Sequence, residues 1–203
     1  LRVVAGRYKG HPLRAPRSAV TRPTADRVRE AIFAMLGDVE SAQVLDLFAG
    51  SGALGIEALS RGAHSAVFVD RDRSAQAAAR ANLELTVRRD PEADQKSVRV
   101  VGGDARRALE RQARRIAAGD EGFDLVFVDP PYRSVASVGT WLTELLPDVM
   151  PDGGRIVVEC DRRAPLVFGF EAQDSLPMPV EREYGDTLVR IVRLAASGSD
   201  RAE

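Results

Sequence analysis

From Val44 onward the chain alternates short, uninterrupted apolar runs with longer stretches in which apolar residues recur every third or fourth position. Unbroken runs of about four to eight apolar residues mark strands buried on both faces, and the wider spacing marks amphipathic helices. This places strands at Val44 to Phe48, Ala66 to Val69, Val98 to Val101, Leu125 to Val128 and Ile156 to Glu159, and helices at 53–61, 73–85, 105–118 and 136–146. Five such βα repeats predict an α/β fold: a mostly parallel sheet with helices on both faces, binding its ligands beyond the carboxyl ends of the strands. Val180 to Tyr184 and Leu188 to Leu194 flank Gly185-Asp186 and predict a closing pair, which gives seven strands with the last antiparallel.

The pattern ahead of Val44 is different. Val3 to Leu13 reads as two short strands bending near Gly10, a small β-hairpin. Pro23 and the N-cap candidate Thr24 then open a helix in which Val28, Ala31, Ile32, Met35 and Leu36 keep helical spacing until Gly37. The expected organisation is an N-terminal extension over 1–38, a main domain over 39–194 and a frayed tail over 195–203, with Arg88 to Ser97 as a charged loop.

Charge sharpens this division. Residues 1–29 hold eight Lys and Arg against Asp26 alone, a balance of +7 that leaves −8 for the rest of a chain whose net charge is −1. A basic arm on an acidic body gains affinity for phosphates by releasing condensed counterions, so nucleic acid is the expected partner, with Arg7, Lys9, Arg22, Arg27 and Arg29 as its contacts. The five arginines between Arg106 and Arg115 fall on the polar side of a predicted helix and read as a solvated face, whereas Trp141, among Leu142, Leu145 and Leu146, reads as core. A single cysteine, Cys160, excludes an internal disulfide or a cysteine-held cluster, and its position in an apolar strand predicts packing. With only two histidines no metal is expected, and without an apolar run long enough for a bilayer or a secretory leader the expected location is cytoplasmic.

Two segments carry chemistry. Asp46-Leu47-Phe48-Ala49-Gly50-Ser51-Gly52 continues through Ala53 and Leu54 to Gly55, so a strand, a glycine turn and a helix follow one another with the spacing G-x-G-x-x-G. Glycines let a ligand approach the backbone, and a helix N-terminus presents N–H groups to an anion, so a nicotinamide dinucleotide and an adenosyl cofactor both fit. Asp70 ends the next strand, where a carboxylate reaches ribose hydroxyls, and Asp104 follows the third strand, placed either to accept from an adenine amino group or to cap the helix behind it. The second segment is Asp129-Pro130-Pro131-Tyr132, which ends the run Leu125 to Val128. The prolines donate no N–H, so the turn offers acceptors, Asp129 adds a carboxylate and Tyr132 a π-face: a pocket for a flat, amino-bearing ring such as a nucleobase. Arg133 beside it is a phosphate candidate.

A cofactor crevice coupled to a base pocket suits a methyl donor better than a hydride acceptor. The pair resembles class I S-adenosylmethionine-dependent methyltransferases, in the amino-methylating group marked by (Asp/Asn)-Pro-Pro-(Tyr/Phe/Trp). The segments Arg22-Pro23-Thr24, Arg27 to Phe33, Asp46 to Gly52 and Tyr184-Gly185-Asp186-Thr187 together are similar to the RsmD family of bacterial 16S rRNA guanine-N2 methyltransferases. The resemblance implies a Rossmann-like fold and S-adenosylmethionine held by Asp46, Phe48, Gly50, Ser51, Gly52, Asp70, Arg71, Asp104 and Ala105. It implies catalysis by Asp129, Pro130, Pro131 and Tyr132, and a monomer acting on 16S rRNA or a small-subunit assembly intermediate. Many relatives carry Glu where Asp70 stands. An amino methyltransferase of DNA adenine or cytosine, or of another RNA guanine, and a non-catalytic nucleotide-binding module remain alternative readings of the same core motifs.

Overall fold

A computed structural model describes residues 1–17, 26–91, 93, 97–131, 135–172 and 179–194. Arg22, Pro23, Thr24, Tyr132, Arg133 and the segment 195–203 lie outside the described residues. The sheet has seven strands, β1 (Gln43–Leu47), β2 (Ser65–Asp70), β3 (Val98–Gly102), β4 (Leu125–Val128), β5 (Arg155–Asp161), β6 (Val180–Tyr184) and β7 (Thr187–Arg193). They lie in the order β3-β2-β1-β4-β5-β7-β6, with β7 antiparallel to both of its neighbours. The helices are α1 (Asp26–Leu36), α2 (Ala53–Ser60), α3 (Arg73–Leu85), α4 (Ala105–Ala117) and α5 (Val135–Leu145). The chain reverses its direction of travel across the sheet between β1 and β4, the point at which parallel α/β sheets open a crevice.

Strand periodicity of two divides the core in half. Leu45, Leu47, Val126, Val128, Ile156 and Val158 face α4 and α5, while Val44, Phe127, Val157, Val189 and Ile191 face α1, α2 and the N-terminal arm. Every one of these side chains except Ile191 is at most 2% exposed, which explains why the strands read as unbroken apolar runs. Trp141 and Cys160 are buried in the first half, as packing residues, and Arg106, Arg107, Arg111, Arg114 and Arg115 line the exposed side of α4.

Two expectations need correction. Among the described residues β5 is followed only by a 3₁₀ turn at Gly169–Ala172, so there are four βα units and not five. The N-terminal hairpin reduces to one antiparallel bridge, Arg2↔Pro12, supported by Val3 N–H donating to His11 O and Gly10 N–H to Val3 O. The residues between these bonds turn to α2. Glu57 of α2, fully buried, accepts from Val4 N at 2.7 Å and Ala5 N at 2.9 Å; Ser60 Oγ accepts from Tyr8 N at 2.9 Å and donates to Ala5 O at 2.5 Å. Val3, Tyr8 and Leu13 enter the same core as Ile32, Phe33 and Ile56, each such burial contributing about 1.5–3 kcal/mol.

Candidate active site

The glycine turn begins one residue earlier than the apolar pattern suggests. β1 ends at Leu47 because Phe48 takes a left-handed conformation, φ 71°, which costs a non-glycine residue about 1–3 kcal/mol and is concentrated at functional turns. The loop that follows is pinned at each step: Ala49 N–H to Val69 O at 2.9 Å, Gly50 N–H to the Asp70 carboxylate at 2.8 Å, and Gly52 N–H to Ala49 O at 2.7 Å. Each of the three motif glycines meets a different need. Gly50, φ 54°, has nothing within 4 Å of where a Cβ would stand, so its α-carbon faces open space. Gly52 holds φ 77° at the N-cap of α2, without side-chain capping. A Cβ on Gly55 would sit 2.4 Å from Phe68 Cε1, so this glycine lets α2 close on β2.

The acids at the strand ends are engaged in different ways. Asp70 takes Gly50 N–H on one oxygen and Asp72 N–H on the other, both at 2.8 Å, so it organises the loop, and each oxygen keeps a second lone pair. Arg71 beside it is exposed. Asp104 is the N-cap of α4, accepting from Arg107 N at 3.1 Å, so the capping alternative is realised on one of its oxygens; Ala105 is buried behind it. Asp46, buried under α2, accepts from Gly55 N at 3.1 Å. Burial, and after it the Asp70 charge, outweigh that hydrogen bond and push its carboxyl up to about 7.

Leu47 pairs with Val128 and Val128 with Val158, so Asp129 leaves β4 directly beside the Phe48 turn on one side and Glu159 on the other. Pro130 is buried and Pro131 exposed. Burial first, then the Glu159 and Asp46 charges, hold the Asp129 carboxyl well above the usual carboxylate range. Asp46, Asp129 and Glu159 therefore form one acidic row on the α2 side of the sheet. Sequence reasoning passed over Glu159 as a strand residue, although an acid interrupting the apolar run Ile156-Val157-Val158 was a visible signal.

The closing Tyr184-Gly185-Asp186-Thr187 makes the tight β6–β7 turn, with Gly185 at φ 65°. Because β7 runs antiparallel to β5, with Asp161 opposite Thr187, this turn stands at the same end of the sheet as Asp129. Arg162 N–H donates to Asp186 O at 3.0 Å and the Arg163 guanidinium to the Asp186 carboxylate at 3.1 Å.

The arm cations split. Lys9 and Arg27 are exposed, and Arg7, half-exposed, pairs with Asp90 at 2.9 Å. Arg29, expected to contact RNA, is fully buried: it pairs with Asp26 at 3.0 Å and Glu57 at 3.5 Å and donates to Arg2 O. It is a structural residue. Its place in the series Arg29, Ile32, Phe33, Leu36, all buried, is the i, i+3, i+4, i+7 stripe of the inward face of α1.

A sheet of this order, with a glycine turn after β1, an acid after β2 and an acid-Pro-Pro turn after β4, defines a Rossmann-like fold of the class I methyltransferase type. The family described as "Conserved hypothetical protein 95" matches residues 1–193. "Putative rRNA methyltransferase YlbH" of Bacillus subtilis is 40% identical over 199 residues, 95% of this chain and 98% of that protein. "Ribosomal RNA small subunit methyltransferase D" of Escherichia coli is 32% identical over 211 residues, 100% of this chain and 94% of that protein. The solved structure "Putative methyltransferase yhhF from Escherichia coli" is 30% identical, covers 97% of this chain and 98% of its own, and superposes with a TM-score of 0.72. The chain belongs to this family, the RsmD family whose signatures its sequence carries.

Proposed function

We propose that the protein transfers a methyl group from S-adenosylmethionine to the exocyclic N2 amino group of a guanine in 16S rRNA. One observation carries the reading: the glycine turn and the Asp129-Pro130-Pro131 turn leave adjacent parallel strands at the same end of the sheet, so a ligand on one meets a ligand on the other. The names of the relatives, rRNA small-subunit methyltransferases, support ribosomal RNA as the substrate class. In this reading the enzyme is a monomer that meets its substrate, free or within an assembling small subunit, in the cytoplasm.

The residues present fit an adenosyl cofactor. The open α-carbon face of Gly50 admits a ligand against the backbone, and Asp70 has lone pairs left for ribose hydroxyls. Asp104 stands at the β3 end for an adenine amino group, and the start of α2, where Asp46 takes the Gly55 N–H and the N-cap Gly52 offers no side chain, leaves the dipole's positive end to favour a carboxylate. When bound, S-adenosylmethionine supplies an electrophilic sulfonium methyl. The chain's own part is to present the acceptor nitrogen. Guanine N2 is a poor nucleophile because its lone pair is delocalised into the ring; Asp129 and the Pro130 carbonyl accept its N–H groups and favour a pyramidal nitrogen with its lone pair aimed at the methyl. An ionised Asp129 is required, and the incoming amino group, as a donor, favours that ionised form. The nitrogen turns cationic and acidic as the N–C bond forms, and its proton then passes to Asp129 or water. Tyr132, outside the described residues, is the stacking partner on sequence grounds, offsetting part of the cost of extruding the base with about 1–3 kcal/mol.

Asp129→Ala tests the assignment. It is expected to bind S-adenosylhomocysteine as the unaltered protein does while turnover falls by about 10²–10³. Unaltered methylation by the variant removes Asp129 from the reaction.

A further inference from the structure

We propose that Asn82 is a positioning residue that couples docking of the N-terminal arm to the cofactor turn. The inference rests on the reading of that turn as the cofactor site.

Asn82 lies on the buried side of α3, where its inward neighbours are Ala75, Ala78, Ala79 and Leu83. It is fully buried, and a carboxamide in such surroundings is costly unless its polar atoms are matched. They are matched by two segments distant in sequence. Its Oδ1 accepts from Arg14 N at 2.7 Å, and its Nδ2 donates to Arg14 O at 3.0 Å and to Ser51 O at 2.9 Å. The first two bonds grip the end of the arm as a neighbouring strand would. The third fixes the peptide joining Ser51 to Gly52, whose N–H is held by Ala49 O, so this peptide plane is tied at both ends. The other end of the arm is tied to Glu57 and Ser60 of α2, the helix that this same turn begins. The arm thus grips α2 near its far end and reaches its start through Asn82.

An arm that holds the turn in its ligand-ready shape is, by reciprocity, held more firmly when the ligand is present. Because the arm carries the exposed cations Lys9 and Arg14, cofactor loading also steadies the cationic surface offered to RNA. The arrangement favours cofactor binding ahead of RNA.

Hydrogen exchange and calorimetric titration with S-adenosylhomocysteine test this on the full chain. In the unaltered protein the ligand is expected to slow exchange of the Val3, Gly10 and Leu13 amides, all of them hydrogen-bonded in the arm. Asn82→Ala is expected to abolish that slowing and to weaken binding about tenfold. Arg14→Pro, which removes the amide proton given to Asn82 together with the exposed Arg14 side chain and leaves the buried face of α3 intact, is expected to act in the same direction, whereas Arg14→Ala, which removes the side chain alone, is expected to bind as the unaltered protein does. Unchanged affinity in Arg14→Pro together with ligand-independent arm exchange in the unaltered protein overturns the coupling and leaves the cofactor reading standing. Failure of the unaltered protein to bind S-adenosylhomocysteine overturns the cofactor reading and the coupling together.

Discussion

Asp46 shows how a single buried acid ties stability to pH. Its carboxyl is raised to about 7 in the fold, chiefly by burial, against an ordinary value of 3.8. Between those two values the folded chain binds more protons than the unfolded one at this site, so the stability Asp46 contributes is fully present below about pH 4 and is lost as pH rises through about 7. Asp129 is shifted in the same direction and adds to the trend. Asp46→Asn keeps an acceptor for Gly55 N–H and removes the titration. Denaturant unfolding of this variant between pH 4 and pH 8 is expected to show a flatter dependence, with a gain over the unaltered chain on the order of a few kcal/mol at the alkaline end. An equal slope in both proteins rules Asp46 out as the source. Glu159 belongs to the same scale: its meaning lies in a neighbour across the sheet, and no local pattern states which strand will lie beside β5.

Strands and helices were legible to within a residue or two because each is buried on the face its periodicity announces; α3, β4 and β6 have the bounds read from sequence. Three features were not. Phe48 prolongs the apolar run, yet its φ is set by the turn it must start. The arm reads as a hairpin because Val3, Tyr8 and Leu13 are spaced like strand residues, but Val4, Ala5 and Tyr8 give their N–H groups to Glu57 and Ser60, more than fifty positions away. Arg29 stands in sequence among the basic residues of the arm, although its helical phase marks it as inward. The arm's docking depends on Gly6, whose φ is 78° and where a Cβ would lie 1.8 Å from Ser60 O. Gly6→Ala is therefore expected to undock residues 1–13 and to destabilise the fold by about 1–3 kcal/mol, seen as a lowered melting temperature and faster exchange at Val3. A variant that melts with the unaltered protein contradicts this account of the arm.

For the molecule as a whole, sequence gave the asymmetry of charge and the fold supplies its geometry. The arm's inner surface is consumed by α2, leaving Lys9 and Arg27 among its exposed cations. Replacing both by Gln is expected to weaken RNA binding uniformly across sequences and to reduce the salt slope by about 1.5, whereas Arg29→Gln acts through stability. An unchanged slope in the double variant removes the arm from the RNA interface. The central claim concerns what the shared end of β1 and β4 does. Purified protein incubated with methyl-labelled S-adenosylmethionine and small-subunit rRNA, both free and within assembling subunits, followed by digestion and mass spectrometry of the nucleosides, is expected to yield label in N2-methylguanosine; label in any other nucleoside, or none in either form of the RNA, would contradict it.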